Sequence, residues 1–140
     1  MTDVYRIHVE VTAPVYPTER TDRVADAVAN LFPEAELTFR EGELAGTTHS
    51  LATFSEHLHR QEILDTARTV CFENREGATT SFQLKKQAAA VGRVNFAVGE
   101  PDELGEIAVR IRVEEPDFES VIDRVAPPTE DGEPIGPPGG

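Results

Sequence analysis

The chain is short of several things, and each shortage excludes something. It has no tryptophan, one methionine, one cysteine (Cys71) and only two lysines, Lys85 and Lys86, among 140 residues. A lone cysteine rules out an internal disulfide and any multi-cysteine metal site. No uninterrupted apolar run approaches the ~20 residues that cross a bilayer, so a membrane partner is not expected. Met1-Thr2-Asp3-Val4-Tyr5 does not read as a signal peptide, which points to a cytoplasmic protein. The sequence contains no GxGxxG, Walker-type loop, HExxH or GxSxG.

What is present is acid. Thirteen Lys+Arg face 26 Asp+Glu, for a formal charge of -13 and a pI near 4.6. Acid excess with scarce lysine suits a protein that works in concentrated salt, where a carboxylate surface holds water and ions screen its self-repulsion. Such a charge normally argues against nucleic acid. In molar salt, however, the Debye length is only ~3 Å, and local chemistry outweighs net charge. Gly77 to Gly99 contain Lys85, Lys86 and Arg93 but no Asp or Glu. Two explanations stand: a basic contact surface, or a buried strand pair with little room for carboxylates.

Periodicity lays out the elements. Val4–Val11 alternates as a half-buried strand, with Tyr5, Ile7, Val9 and Val11 on one side, and Ala13–Pro17 breaks it. Thr18–Leu31 reads as a helix capped by Thr18 or Thr21, with Val24, Ala27, Val28 and Leu31 as its apolar stripe. Ala35–Phe39 and Leu44–His49 read as strands around Glu41-Gly42-Glu43. Residues 51–75 hold two helices or one bent helix, with Ser50 as a cap. Thr79–Leu84, Gly92–Val98 and Glu106–Glu114 read as strands, and Asp117–Val125 as a closing helix. Residues 1–125 are thus one domain. Ala126–Gly140 holds five Pro, four Gly and three acids and is expected to be a disordered tail. The fold class is α+β in two layers: a mainly antiparallel sheet of about five strands, with helices on one face.

Strand parity places Arg6, His8, Arg40, Arg110 and Arg112 on the face away from the helices. Arg93 and Asn95 join them if Val94, Phe96 and Val98 point inward. Arginine suits phosphate through its planar fork of donors. The same residues also fit a solvated face paired with glutamates, or a face that meets a second subunit. Tyr5, Phe39 and Phe96 have inward parity, so RNA binding by base stacking is not expected; contact would rest on shape and phosphate.

Catalytic chemistry is thin, and no cofactor is implied. Cys71 lies on an apolar helical stripe and reads as a core residue. His57 and His59 are about 200° apart around a helix and cannot share a metal; helix-surface histidine is the expectation. His8 has no visible partner, and His49 lies across a cap.

The stretch Leu84-Lys85-Lys86-Gln87-Ala88-Ala89-Ala90-Val91-Gly92-Arg93-Val94-Asn95-Phe96 is the most distinctive. With Ala29-Asn30-Leu31-Phe32-Pro33 and Ile63-Leu64-Asp65-Thr66-Ala67-Arg68, it resembles an archaeal family of small uncharacterised proteins, over roughly residues 3 to 125. The acidic, lysine-poor composition looks like a halophilic member. The resemblance implies a fold like the RNA-binding domain of the large-subunit ribosomal protein that holds 5S ribosomal RNA. It also implies a non-catalytic RNA-binding role. Matching polar positions are Lys85, Lys86, Gln87, Arg93 and Asn95, with Arg110 and Arg112 extending the site. These are expected to gather into one carboxylate-poor patch. The alternative is an interaction module that homodimerises through its sheet face without nucleic acid. A small-metabolite sensor and an enzyme rank below both, for want of a pocket-lining cluster or a catalytic dyad.

Overall fold

A computed structural model of the chain describes residues 5–97, 105–130 and 133–134. The elements run β1 (Arg6–Pro14), α1 (Thr21–Leu31), β2 (Thr38–Arg40), β3 (Glu43–Thr48), α2 (Ala52–Gln61), α3 (Leu64–Glu73), β4 (Thr79–Lys85), α4 (Lys86–Ala90), β5 (Glu106–Glu115), α5 (Phe118–Val125), β6 (Thr129–Glu130) and β7 (Glu133–Pro134). The first five strands form one antiparallel sheet in the order β2-β3-β1-β5-β4. The helices pack on one side of it, which is the α+β arrangement the alternation implies.

Alternation decides which face is buried. Ile7, Val9, Val11 and Ala13 on β1 and Ile107, Val109, Ile111 and Val113 on β5 point into the core, as do Phe82 and Leu84 on β4. The stripes of α1, α2, α3 and α5 complete it, including Leu31, Phe54, Leu58, Ala67, Val121 and Ile122. A run of rings crosses the layers: Phe32 stacks on Phe54, Phe54 on Phe82, and Phe82 meets Phe96 edge-on, at centroid distances of 5.3, 5.6 and 5.3 Å.

Several boundaries differ from expectation, each for a local reason. β1 runs through Ala13 and ends at Pro14, where a residue without N–H costs nothing and its carbonyl accepts from Lys86. α1 starts at Thr21 with Arg20 at the N-cap and no side-chain cap, so neither Thr18 nor Thr21 plays that part. Ser50 does accept the Ala52 N–H. Residues 51–75 form two helices, broken where Glu62 turns left-handed at φ 58°. β2 is reduced to three residues because Glu36 and Leu37 press against β3 instead of pairing: a Cβ on Gly46 would meet the Glu36 carbonyl at 2.6 Å.

The acid-free stretch folds as β4, the short helix α4 and a return segment. The expected strand from Gly92 survives as a single bridge, Leu84 to Phe96, with Lys85 N–H donating to Asn95 O and Ala97 N–H to Gln83 O. Val98 lies outside the described residues. Gln61 replaces the missing strand partner. Its amide donates to Val94 O at 2.9 Å and accepts from Val94 N–H at 2.7 Å. In the Pro/Gly-rich stretch, β6 and β7 pair as a small hairpin where composition suggests no structure; 131, 132 and 135–140 lie outside the described residues. Among the described residues, no helix is long and apolar enough to cross a membrane.

Candidate nucleic-acid interface

The sheet leaves one face uncovered by helices. Register sets the rows across it. Thr38, Ala45, Thr12, Ala108 and Gln83 lie side by side from β2 to β4, and Thr47, Glu10, Arg110 and Ser81 form the next row. His8 and Arg112 face each other one row further on, beside His49, whose ring centre is 5.6 Å from that of His8. The small residues leave a shallow trough of about 940 Å³, which also reaches Glu36, Asn74 and Ala97.

Two arginines of the helical side are packed against rings, whereas Arg23 and Arg60 of that side are exposed and form no ion pair among the described residues. On the helical side Arg68 bonds Asp123 at 2.7 Å and lies over the Phe72 ring. Arg75 pairs with Glu119 at 3.8 Å and covers Phe118 at 4.5 Å. On the open face, Arg6 and Arg112 hold only long, exposed contacts, to Glu115 at 3.6 Å and Glu114 at 3.4 Å. Such pairs contribute little. Arg40 and Arg110 are exposed and form no ion pair among the described residues, although Glu43 and Glu10 lie opposite them in register. Glu10 is therefore central on this face.

The seven residues singled out from sequence fall in separate places rather than one patch. Arg110 and Arg112 are on the open face. Asn95 has the same parity beyond the β4 edge, because its neighbour Phe96 bridges inward-facing Leu84. Lys85, Lys86 and Gln87 instead line a second groove, about 870 Å³, against Arg20 and Arg23 of the α1 end. Arg93 is exposed in the turn after α4. Lys86 sits inside the second groove rather than on an open surface. Its side chain is 10% exposed, and its ammonium donates to Glu19 Oε1 at 2.9 Å and to Pro14 O. A lysine buried and neutralised in this way is held inside the fold, and turning its ammonium outward would break the loop it holds.

The remaining candidates are structural. Cys71 is buried, and burial pushes its thiol up to about 12. His57 is buried rather than on the helix surface; its Nε2 donates to Asn30 O at 3.0 Å. Asn30 in turn donates to Ala89 O at 2.9 Å, which ties α1 to α4. His49 Nδ1 donates to Ile7 O at 2.8 Å. Among the described residues, no three His, Cys, Asp or Glu side chains are placed to share a metal ion. Sequence reasoning missed the hydroxyl-rich centre of the open face. Thr12, Thr47 and Ser81 share the parity of the arginines, so the signal was present, but scattered threonine and serine carry no motif.

Residues 8–114, which include all five strands of the main sheet except the outer ends of β1 and β5, match a family model described as RNA binding. A UPF0201 protein of Methanopyrus kandleri is 42% identical over 91% of this chain and 89% of its own. A UPF0200/UPF0201 protein of Archaeoglobus fulgidus is 39% identical over 92% of this chain, which spans 40% of that longer relative. The crystal structure of a UPF0201 protein from Methanococcus jannaschii superposes with a TM-score of 0.87 at 41% identity, over 92% of this chain and 99% of that one. The chain belongs to the archaeal UPF0201 family and carries that family's RNA-binding domain signature over most of its length.

Proposed function

We propose that the protein is a non-catalytic, cytoplasmic RNA-binding protein that contacts structured RNA, ribosomal RNA included, through the open face of its sheet. The observation that carries this is that Arg40 and Arg110 stand exposed, without an ion pair among the described residues, on the one sheet face that the helices leave uncovered. Guanidinium groups left open on a strongly acidic protein are suited to phosphate. Arg112 and Asn95 extend the surface, and Lys85, Gln87 and Arg93 flank it at the α4 end. The excess of acid over only two lysines supports a salt-adapted, halophilic protein, whose RNA contact relies on short-range bonds because screening removes long-range repulsion.

The test is a titration against structured RNA at about 2 M KCl, where the Debye length is only a few ångströms. Saturable binding that weakens in an Arg40→Ala/Arg110→Ala variant of native stability is expected. No saturable binding, or no loss in that variant, overturns the reading. A second reading is a homodimer through the same face, favoured by the alternation of Arg110 with Glu10 and Arg112 with Glu114 across it. Two copies related by a twofold axis would interleave such charges. A dimer mass that Arg110→Glu reduces to a monomer, with folding retained, would support it.

A further inference from the structure

The centre of the open face is built from small, uncharged and hydroxyl-bearing side chains. The row Thr38–Ala45–Thr12–Ala108–Gln83 contains no charge, and Thr47 and Ser81 flank Glu10 and Arg110 in the next. The side-chain hydroxyls of Thr12, Thr38, Thr47 and Ser81 form no hydrogen bond among the described residues. By contrast, Thr80, on the inward side of β4, spends its hydroxyl on Cys71 O at 2.8 Å. The trough therefore presents several open groups that each donate and accept.

Resting on the reading that this face binds RNA, we infer that the trough takes the minor groove of an A-form RNA duplex and selects RNA over DNA through the ribose 2′-hydroxyls. That groove is wide and shallow and displays 2′-hydroxyls, which pair with threonine and serine hydroxyls in either direction. Five strands at about 4.8 Å spacing give a platform about 19 Å across, broad enough for a groove rather than a single strand. Arg40 and Arg112 stand near opposite ends of the face. Arg112 lies beside His8 in register and Arg40 shares the row of Glu43 and Pro14, rows six residues and about 20 Å apart along β1, where phosphates on the two borders of the groove would run. Glu10, at the floor, accepts from 2′-hydroxyls or from the guanine amino group, the one donor a base edge offers in that groove. Single-stranded RNA is a poorer fit. No Phe or Tyr of the described strands has open-face parity: Phe39 and Phe82 both pair with inward positions.

The experiment compares a mixed-sequence 20-base-pair RNA duplex, the DNA duplex of the same sequence and one RNA strand alone, by fluorescence anisotropy with the full chain at about 0.2 M and about 2 M KCl. Binding to the RNA duplex at least about tenfold tighter than to either other probe is expected. The variant Thr12→Val/Ser81→Ala removes two hydroxyls at nearly constant shape. It should weaken RNA-duplex binding about fivefold or more, leaving DNA binding and melting temperature unchanged. Equal affinity for the two duplexes, or preference for the single strand, overturns this inference while RNA binding stands. Binding to no RNA at all takes down the underlying reading as well, and a dimer that occludes the face assigns the trough to a second copy.

Discussion

Glu19 and Lys86, 67 positions apart, form an ion pair at 2.9 Å with side chains only 11% and 10% exposed. The same carboxylate accepts the Tyr16 N–H at 3.0 Å, and the ammonium lies 5.4 Å from the Tyr16 ring centre. The pair fastens the loop between β1 and α1 to the start of α4. Lys86→Met or Glu19→Gln leaves one charged group buried without its partner and should cost about 3–5 kcal/mol, while the double variant loses less than the sum of the two. Guanidinium unfolding curves check this. Native stability with lost RNA affinity in Lys86→Met would instead return Lys86 to the binding surface.

Gln61 supports the return segment beside β4 through both backbone groups of Val94. Val94 is 4% exposed, so Gln61→Leu leaves a buried N–H and a buried C=O without partners. Each unsatisfied group costs about 1–3 kcal/mol, set against some gain from the apolar replacement. Amide hydrogen exchange should show Val94 losing protection ahead of the β1 and β5 amides. Uniform exchange across the sheet would show that the bond does not hold the segment.

Cys71 should be chemically silent. With its thiol raised to about 12, roughly one molecule in ten thousand carries a thiolate at pH 8. An aromatic disulfide reagent should therefore release no colour from the folded protein and one equivalent after denaturation. Rapid reaction in the native state would mean that the α3 face opens.

Asp117 ties acid stability to one helix start. Its carboxylate accepts the Ser120 N–H at 2.8 Å and the Ser120 hydroxyl at 3.0 Å, which hold it below the usual carboxylate value of 3.8. A depressed folded-state value gives stability that is present above the unfolded value and lost as pH falls through the folded one. Asp117→Ala should therefore melt lower than the parent at about pH 6, with the gap closing by about pH 2. A gap that persists at the acid end would assign the effect to packing.

The sheet and its parity were legible because one face is buried: Ile7, Val9, Val11 and Ile107, Val109, Ile111 alternate strictly, and a one-residue slip would put every one of them in water. That alternation alone separated Arg110 and Arg112 from the core, and the stripes of α1 and α5 read equally well from 3.6-residue spacing. Boundaries set by distant partners were not legible. β2 is short because Glu36 and Leu37 cross Gly46, and the described stretch from Gly92 meets β4 through the single Phe96 bridge while Gln61 takes both backbone groups of Val94.

Composition and hydrophobic period thus determined the two-layer α+β architecture, since burying apolar residues at those periods admits few alternatives. Tertiary structure decided which charges are available. Lys86 is one of three cations in an acid-free stretch, yet packing delivered Glu19 and Pro14 O to its ammonium, while Arg110 kept its guanidinium open. A charge is neutralised by what lies within a few ångströms in space, and for residues 67 positions apart only the folded chain brings that about.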